Sequence, residues 1–148
     1  MPAKVDKDQL RGYIVPVGGA EDKEGGAAIL RRFVDLAGGG AARIAVIPTA
    51  SRLADTGQRY VDIFRGLGAG EAFSLGYEAR DTTHREDWLA RLDTATAIFL
   101  TGGNQLRIST ILGGTPVAKA IRRLNAAGVH VGGTSAGAAI LSEHMIAF

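Results

Sequence analysis

The segment Val129-His130-Val131-Gly132-Gly133-Thr134-Ser135-Ala136-Gly137-Ala138-Ala139 restricts what this chain can fold into more than any other part of it. Branched apolar residues run into a glycine pair, then Thr-Ser, then small helix formers, the pattern of a buried strand that turns sharply into a helix. Within it, Gly133-Thr134-Ser135-Ala136-Gly137 has the form G-x-S-x-G, the nucleophile elbow. The turn is so tight that bulky side chains two residues before or after the serine would strike the neighbouring strand or helix. The pattern predicts Ser135 exposed at the carboxyl end of a strand, with the N–H groups that open the next helix aimed at a developing oxyanion. A glycine-rich turn carrying an incidental serine fits the same letters.

The rest of the chain reads as short strands alternating with helices. Residues 12–17 form the first strand, and Gly18-Gly19-Ala20-Glu21-Asp22-Lys23 ends it. Helical spacing over 25–37 stops at three glycines, and 43–47 is a continuous apolar strand running into Pro48-Thr49-Ala50-Ser51. A second helix is expected over 55–66 and a third strand over 71–75. Thr83-His84-Arg85-Glu86 has the form of a capping box ahead of a short helix around 88–92. Residues 95–100 make a fourth strand that ends in Thr101-Gly102-Gly103-Asn104-Gln105, with Asn104 placed to cap a helix over 105–112. Another helix starts at Thr115 with Pro116 in its first turn and reaches 127. The expected fold is therefore α/β: a parallel sheet with helices on both faces, in a single domain.

Composition matters mainly through what it removes. There is no cysteine, so disulfides, thiolate catalysis and cysteine metal sites are excluded. A net charge of +2 without a basic stripe argues against a nucleic-acid partner. No leader-like or membrane-spanning apolar run appears, so a cytoplasmic protein without a membrane partner is expected. Glycine is the exception to an ordinary composition: 21 of 148 residues, about twice the usual ~7%. The excess falls in pairs at strand ends, where ligands approach a sheet of this kind. That rule brings Gly18-Gly19, Pro48-Thr49, Gly102-Gly103 and Ser135 onto one rim.

A serine on such a rim needs a base, a group to orient the base, and two oxyanion donors. The Ala136 N–H and an N–H of the Gly102-Gly103 turn are available as donors. Gln105 stands where it would contact substrate or cap its helix. Glu21 and Asp22 would hold a positive group or favour the first turn of the next helix. The base is harder to find. His144, nine residues on in the elbow helix, lies ~13 Å along the axis. His130, five residues back in the strand, lies roughly 16 Å away and reads as a core or sheet-face residue. His84 falls in the capping sequence and is expected in solvent. No carboxylate pair and no metal-ligand spacing is present, so neither metal nor cofactor is expected.

Four of these pieces, Val17-Gly18-Gly19-Ala20-Glu21-Asp22-Lys23, Val46-Ile47-Pro48-Thr49-Ala50-Ser51, Thr101-Gly102-Gly103-Asn104-Gln105 and Gly132-Gly133-Thr134-Ser135-Ala136-Gly137-Ala138, occur in this order in cyanophycinases, which the chain resembles. Those enzymes belong with the aspartyl dipeptidases to a serine peptidase family whose fold is similar to class I glutamine amidotransferases, of the flavodoxin-like kind. The resemblance implies that Ser135 is the nucleophile, that Gly103 and Ala136 supply the oxyanion hole, and that Gln105 lines the substrate pocket. It implies hydrolysis of cyanophycin, a poly-aspartate chain bearing arginine on its side chains, to β-Asp-Arg dipeptides through an acyl-enzyme. The substrate would be cyanophycin or a related β-aspartyl peptide, with no metal or cofactor, and a homodimer is an implied assembly.

The sequence departs from that pattern in length. The family's catalytic His, the acidic residue behind it and the pocket for the substrate's arginine follow the elbow helix, and here the chain ends at Phe148. The expectation is the N-terminal half of a longer family domain, truncated after the nucleophile helix. Two other readings stay open: a catalytically incomplete fragment or binding domain, and an α-aspartyl dipeptidase.

Overall fold

The computed structural model describes residues 4–20 and 27–146. The elements run β1 (Ile14–Val17), α1 (Ala28–Ala37), β2 (Arg43–Ile47), α2 (Thr56–Gly66), β3 (Glu71–Ser74), α3 (Glu86–Leu92), β4 (Ala97–Leu100), α4 (Gln105–Leu112), α5 (Pro116–Ala126), β5 (His130–Thr134) and α6 (Ala136–Ala139). All five strands are parallel and lie in the order β1-β5-β4-β2-β3. This is the α/β architecture that the alternation of short apolar runs and helical spacing predicts.

Central strands of such a sheet are apolar on both sides because helices cover both. In β2, Ile44 and Val46 join a cluster with Leu30, Phe33 and Val34 of α1 and Tyr60 and Phe64 of α2. Ala45 and Ile47 point the other way, into a cluster with Leu92, Ile108, Leu112, Val117 and Ile121. The same alternation divides Ala97 and Phe99 from Ile98 and Leu100 in β4. The first face is held by three rings, Phe33, Phe64 and Phe99, whose centroids lie 5.1–5.8 Å apart. Phe33 also covers β5, where a Cβ on Gly132 would come within 2.7 Å of its ring. The glycine in mid-strand is thus the space that one phenylalanine fills.

From β2 the chain steps through α2 to β3 at one edge, then crosses back to β4 and on to β5. α2 packs on one face, and α4 and α5 pack on the other. The direction of winding therefore reverses between β2 and β4. Loops at the carboxyl ends of those two strands diverge to opposite faces and leave a crevice between them.

The expected caps of α4 and α5 are present. Asn104 Oδ1 accepts the N–H groups of Leu106 and Arg107 at 2.9 and 3.3 Å, and Thr115 precedes Pro116 at the start of α5. Two expectations fail. The capping box at 83–86 does not form: Thr83 is buried in a 3-10 turn, Asp81–His84, where its hydroxyl donates to the Arg80 carbonyl. Arg85 then occupies the cap of α3 with no side-chain cap bond, since a guanidinium has no acceptor to offer; it lies 4.0 Å over the Trp88 ring and pairs with Asp87 at 2.7 Å instead. The elbow helix is also shorter than expected. α6 stops at Ala139, and the Ser142 hydroxyl donates to the Ala139 and His144 carbonyls, a local alternative to helical bonding. His144 therefore lies outside it. Residues 25–26, where α1 was expected to begin, and Glu21-Asp22 fall outside the described residues. Among the described residues, no helix is long and apolar enough to cross a membrane.

Candidate active site

Ser135 stands where β5 turns into α6, with φ 52° and ψ −113°. A non-glycine residue in this region carries backbone strain of order 1–3 kcal/mol, so the surroundings must impose it. They do so from three sides. The Ser135 N–H donates to the Val17 carbonyl at 3.1 Å, and the Ser135 carbonyl accepts the Ala139 N–H at 2.9 Å. A Cβ on Gly133 would lie 2.5 Å from the Gly137 carbonyl carbon, and one on Gly137 would overlap the Leu100 carbonyl oxygen at the end of β4. These are the two positions where the G-x-S-x-G pattern demands glycine. The Thr134 hydroxyl, buried just before the turn, donates to the Gly18 carbonyl at 3.1 Å and ties the elbow to the loop after β1.

The side chain so presented is exposed, and glycine lies on both sides of it. A Cβ on Gly19 would be 3.5 Å from the Ser135 Oγ, and one on Gly102 would be 3.4 Å from its Cβ. Loops from β1 and β4 thus flank the hydroxyl with backbone alone, which leaves room for a substrate. Gly103 sits at φ 143°, and a side chain there would overlap the Ala50 carbonyl. The adjacent Asn104 N–H donates to that same carbonyl at 2.9 Å, so the turn after β4 is pinned to the turn after β2. Among the described residues, neither the Gly103 N–H nor the Ala136 N–H finds a protein acceptor. An exposed hydroxyl beside unengaged amide groups is an arrangement suited to acyl transfer.

The comparisons with known proteins agree with this geometry. Residues 14–147 match the family profile described as Peptidase family S51. The chain belongs to peptidase family S51. Its similar relatives include a cyanophycinase from Geminocystis herdmanii, 46% identical over 143 residues, which cover 95% of this chain and 53% of that protein. A cyanophycinase from Synechococcus elongatus is 47% identical over 139 residues, covering 93% of this chain and 43% of the relative. The chain thus spans about half the length of the curated relatives it matches. Among solved structures, a peptidase from an acI-B1 Actinobacterium superposes with a TM-score of 0.76 at 22% identity, over 93% of this chain and 59% of that one. That likeness carries the fold of the S51 domain.

The other residues singled out by sequence fall into two groups in this S51 chain. Gln105 opens α4, half-buried on the same rim, and its Nε2 donates to the Ile146 carbonyl at 3.2 Å. None of the histidines bonds to Ser135 among the described residues. His130 begins β5, at the far end of the strand. Its Nδ1 accepts the Tyr13 N–H at 3.0 Å and its ring stacks on Tyr13. Burial lowers its pKa, outweighing a hydrogen bond with the Leu36 backbone that favours the charged form. His84 and His144 are both exposed. No cluster of His, Asp or Glu able to hold a metal occurs among the described residues.

One rim residue escapes a reading by motif. Arg107 lies in the first turn of α4, and its Nε donates to the Thr49 carbonyl at 2.8 Å, bracing the turn after β2. The signal was present in the sequence, because a cation in the first turn of a helix opposes the local dipole and calls for a reason.

Proposed function

We propose that Ser135 is the nucleophile of a serine-type hydrolysis of peptides built on aspartate. In this reading the hydroxyl attacks the scissile carbonyl, and the Ala136 and Gly103 N–H groups take the oxyanion. Departure of the amine leaves an acyl-enzyme that water hydrolyses. Gln105 lines the pocket for the part of the substrate flanking the scissile bond. The substrate is cyanophycin and the product the β-Asp-Arg dipeptide, a reading supported by the curated cyanophycinases at 46% and 47% identity. The observation that carries it is the exposed Ser135 side chain on a strained turn walled by Gly19 and Gly102. Chromatographic release of β-Asp-Arg from cyanophycin by the catalytic unit with its general base in place is the test, and Ser135→Ala should lower it at least about a thousandfold. Undiminished release by the variant would remove the serine from the mechanism.

The general base is the part this geometry does not fill. His130 is committed to the Tyr13 amide, and the other histidines make no bond to Ser135 among the described residues. We therefore read the 148-residue chain as the nucleophile-bearing part of the S51 catalytic unit, with the His and its acidic partner supplied by further residues. That assignment predicts chemical rescue: millimolar imidazole should accelerate hydrolysis by this chain and leave the Ser135→Ala variant at background. The competing reading, a binding domain without turnover, is favoured by the same missing base. Hydrolysis by the purified chain, with or without imidazole, would eliminate it.

A further inference from the structure

A polar cavity of about 320 Å³, at the lower end of small-molecule sites, ~300–1,000 Å³, opens at the carboxyl ends of β2 and β3, with Arg107 of α4 reaching it from the β4 side. Thr49, Ser51 and Arg52 from the turn after β2, Gln58 from the first turn of α2, Glu78 from the segment after β3, and Arg107 from α4 line it. Gly57 forms part of the floor, where a side chain would overlap the Ser74 hydroxyl. Two cations and one anion thus share this one cavity. Arg52, Arg107 and Glu78 form no ion pair among the described residues, so their charges are open to a ligand. Arg107 is moreover held by the Nε bond to Thr49, which fixes its guanidinium plane and leaves both terminal nitrogens for another acceptor.

We propose that this cavity is a subsite for an arginyl branch of the substrate, distinct from the position of the branch beside the scissile bond. The branch carboxylate meets Arg107 and Arg52, and its guanidinium meets Glu78. The proposal rests on the aspartyl-peptide reading above for the identity of the ligand. An arginine joined to aspartate through its α-amino group keeps a free carboxylate and a free guanidinium, and two cations facing one anion complement that pair of charges. Distance agrees as well. The cavity at the ends of β2 and β3 lies two to three strands from β5, so roughly 10–14 Å at ~4.8 Å per strand. An extended chain covers that span in about three to four residues. The Gly103 contact with Ala50 and Ser51 makes the wall of the cavity continuous with the turn beside Ser135. A polymer lying across the rim would thus be gripped at a second point.

The test is NMR titration of the isotopically labelled 148-residue chain with the β-linked aspartyl-arginine dipeptide and with the same dipeptide bearing an arginine carboxamide. Saturable shifts at the Ser51, Gly57 and Gly76 amides are expected for the acid. The carboxamide should bind about tenfold more weakly, the loss of one charge-assisted pair. Arg107→Gln should weaken the acid by a similar factor. Because that change also alters the brace to Thr49, Arg52→Gln, at an exposed residue without a protein partner, serves as the second variant and should weaken it about threefold. Shifts confined to the Ser135 and Gly102 side, or equal affinity for acid and carboxamide, would overturn the subsite. Binding at the cavity by a chain that stays inactive even with imidazole would sink the peptidase reading and leave the cavity standing; Ser135-dependent hydrolysis in imidazole without cavity shifts would do the reverse.

Discussion

At its amino end β5 carries His130, whose ring nitrogen accepts the Tyr13 N–H at 3.0 Å and whose face stacks on Tyr13 at 5.3 Å. At its carboxyl end, five residues on, Ser135 is exposed and makes no side-chain hydrogen bond among the described residues. The more basic of the two groups is spent on packing, and the less basic one is left open. The difference follows from the parallel sheet. Every strand delivers its carboxyl end to one rim, so the glycine turns after β1 and β4 converge on Ser135, while the opposite rim only has to close the core. Reactivity at the first rim is therefore a matter of backbone shape, and solvent exclusion at the second is a matter of side chains.

The comparison breaks first at Gly137. If the elbow depends on absent side chains, Gly137→Val should cost at least about 3 kcal/mol in denaturant unfolding, because the new Cβ overlaps the Leu100 carbonyl. A loss below about 1 kcal/mol would mean that the turn yields and the shape argument fails. Ser135→Gly sharpens the same point with the opposite sign. Relief of the φ 52° conformation should raise stability by about 1.5 kcal/mol while hydrolysis disappears, so stability and activity would move in opposite directions. Next comes Asn104→Ala, which removes the cap of α4 just beyond Gly103 and should cost about 1 kcal/mol in unfolding free energy.

The smallest effect belongs to the opposite end of the strand. Burial holds the folded pKa of His130 below its ordinary value of 6.5, so the unfolded chain takes up its proton first as pH falls. Its contribution to stability is complete above pH 6.5 and is lost as pH drops through the folded value. The midpoint of urea unfolding should therefore fall between pH 8 and pH 5 more in the wild-type chain than in His130→Gln. Equal slopes would show that the ring does not sense burial.

What could be read before the fold was known depended on how local the cause is. β2 shows its bounds in five consecutive apolar-rich letters, and the elbow shows in glycines two places either side of Ser135, because each constraint acts between near neighbours in the chain. The capping box failed because the Thr83 hydroxyl turned back to the Arg80 carbonyl within a 3-10 turn, a bond to a residue that the four-letter pattern does not contain. The end of α6 was missed for the same reason, since Ser142 turns back on Ala139. Arg107 and the cavity beside it could not be placed at all, because Thr49 lies 58 residues away in sequence and meets it only after the sheet is assembled.

Gly103 rests directly on Ala50, main chain against main chain, with no side chain between them to be compressed. Two loops joined in this way leave no space for a Cβ between them. A methyl group at position 103 would therefore have to push the whole segment following the second strand aside, and the rim would lose its present outline there.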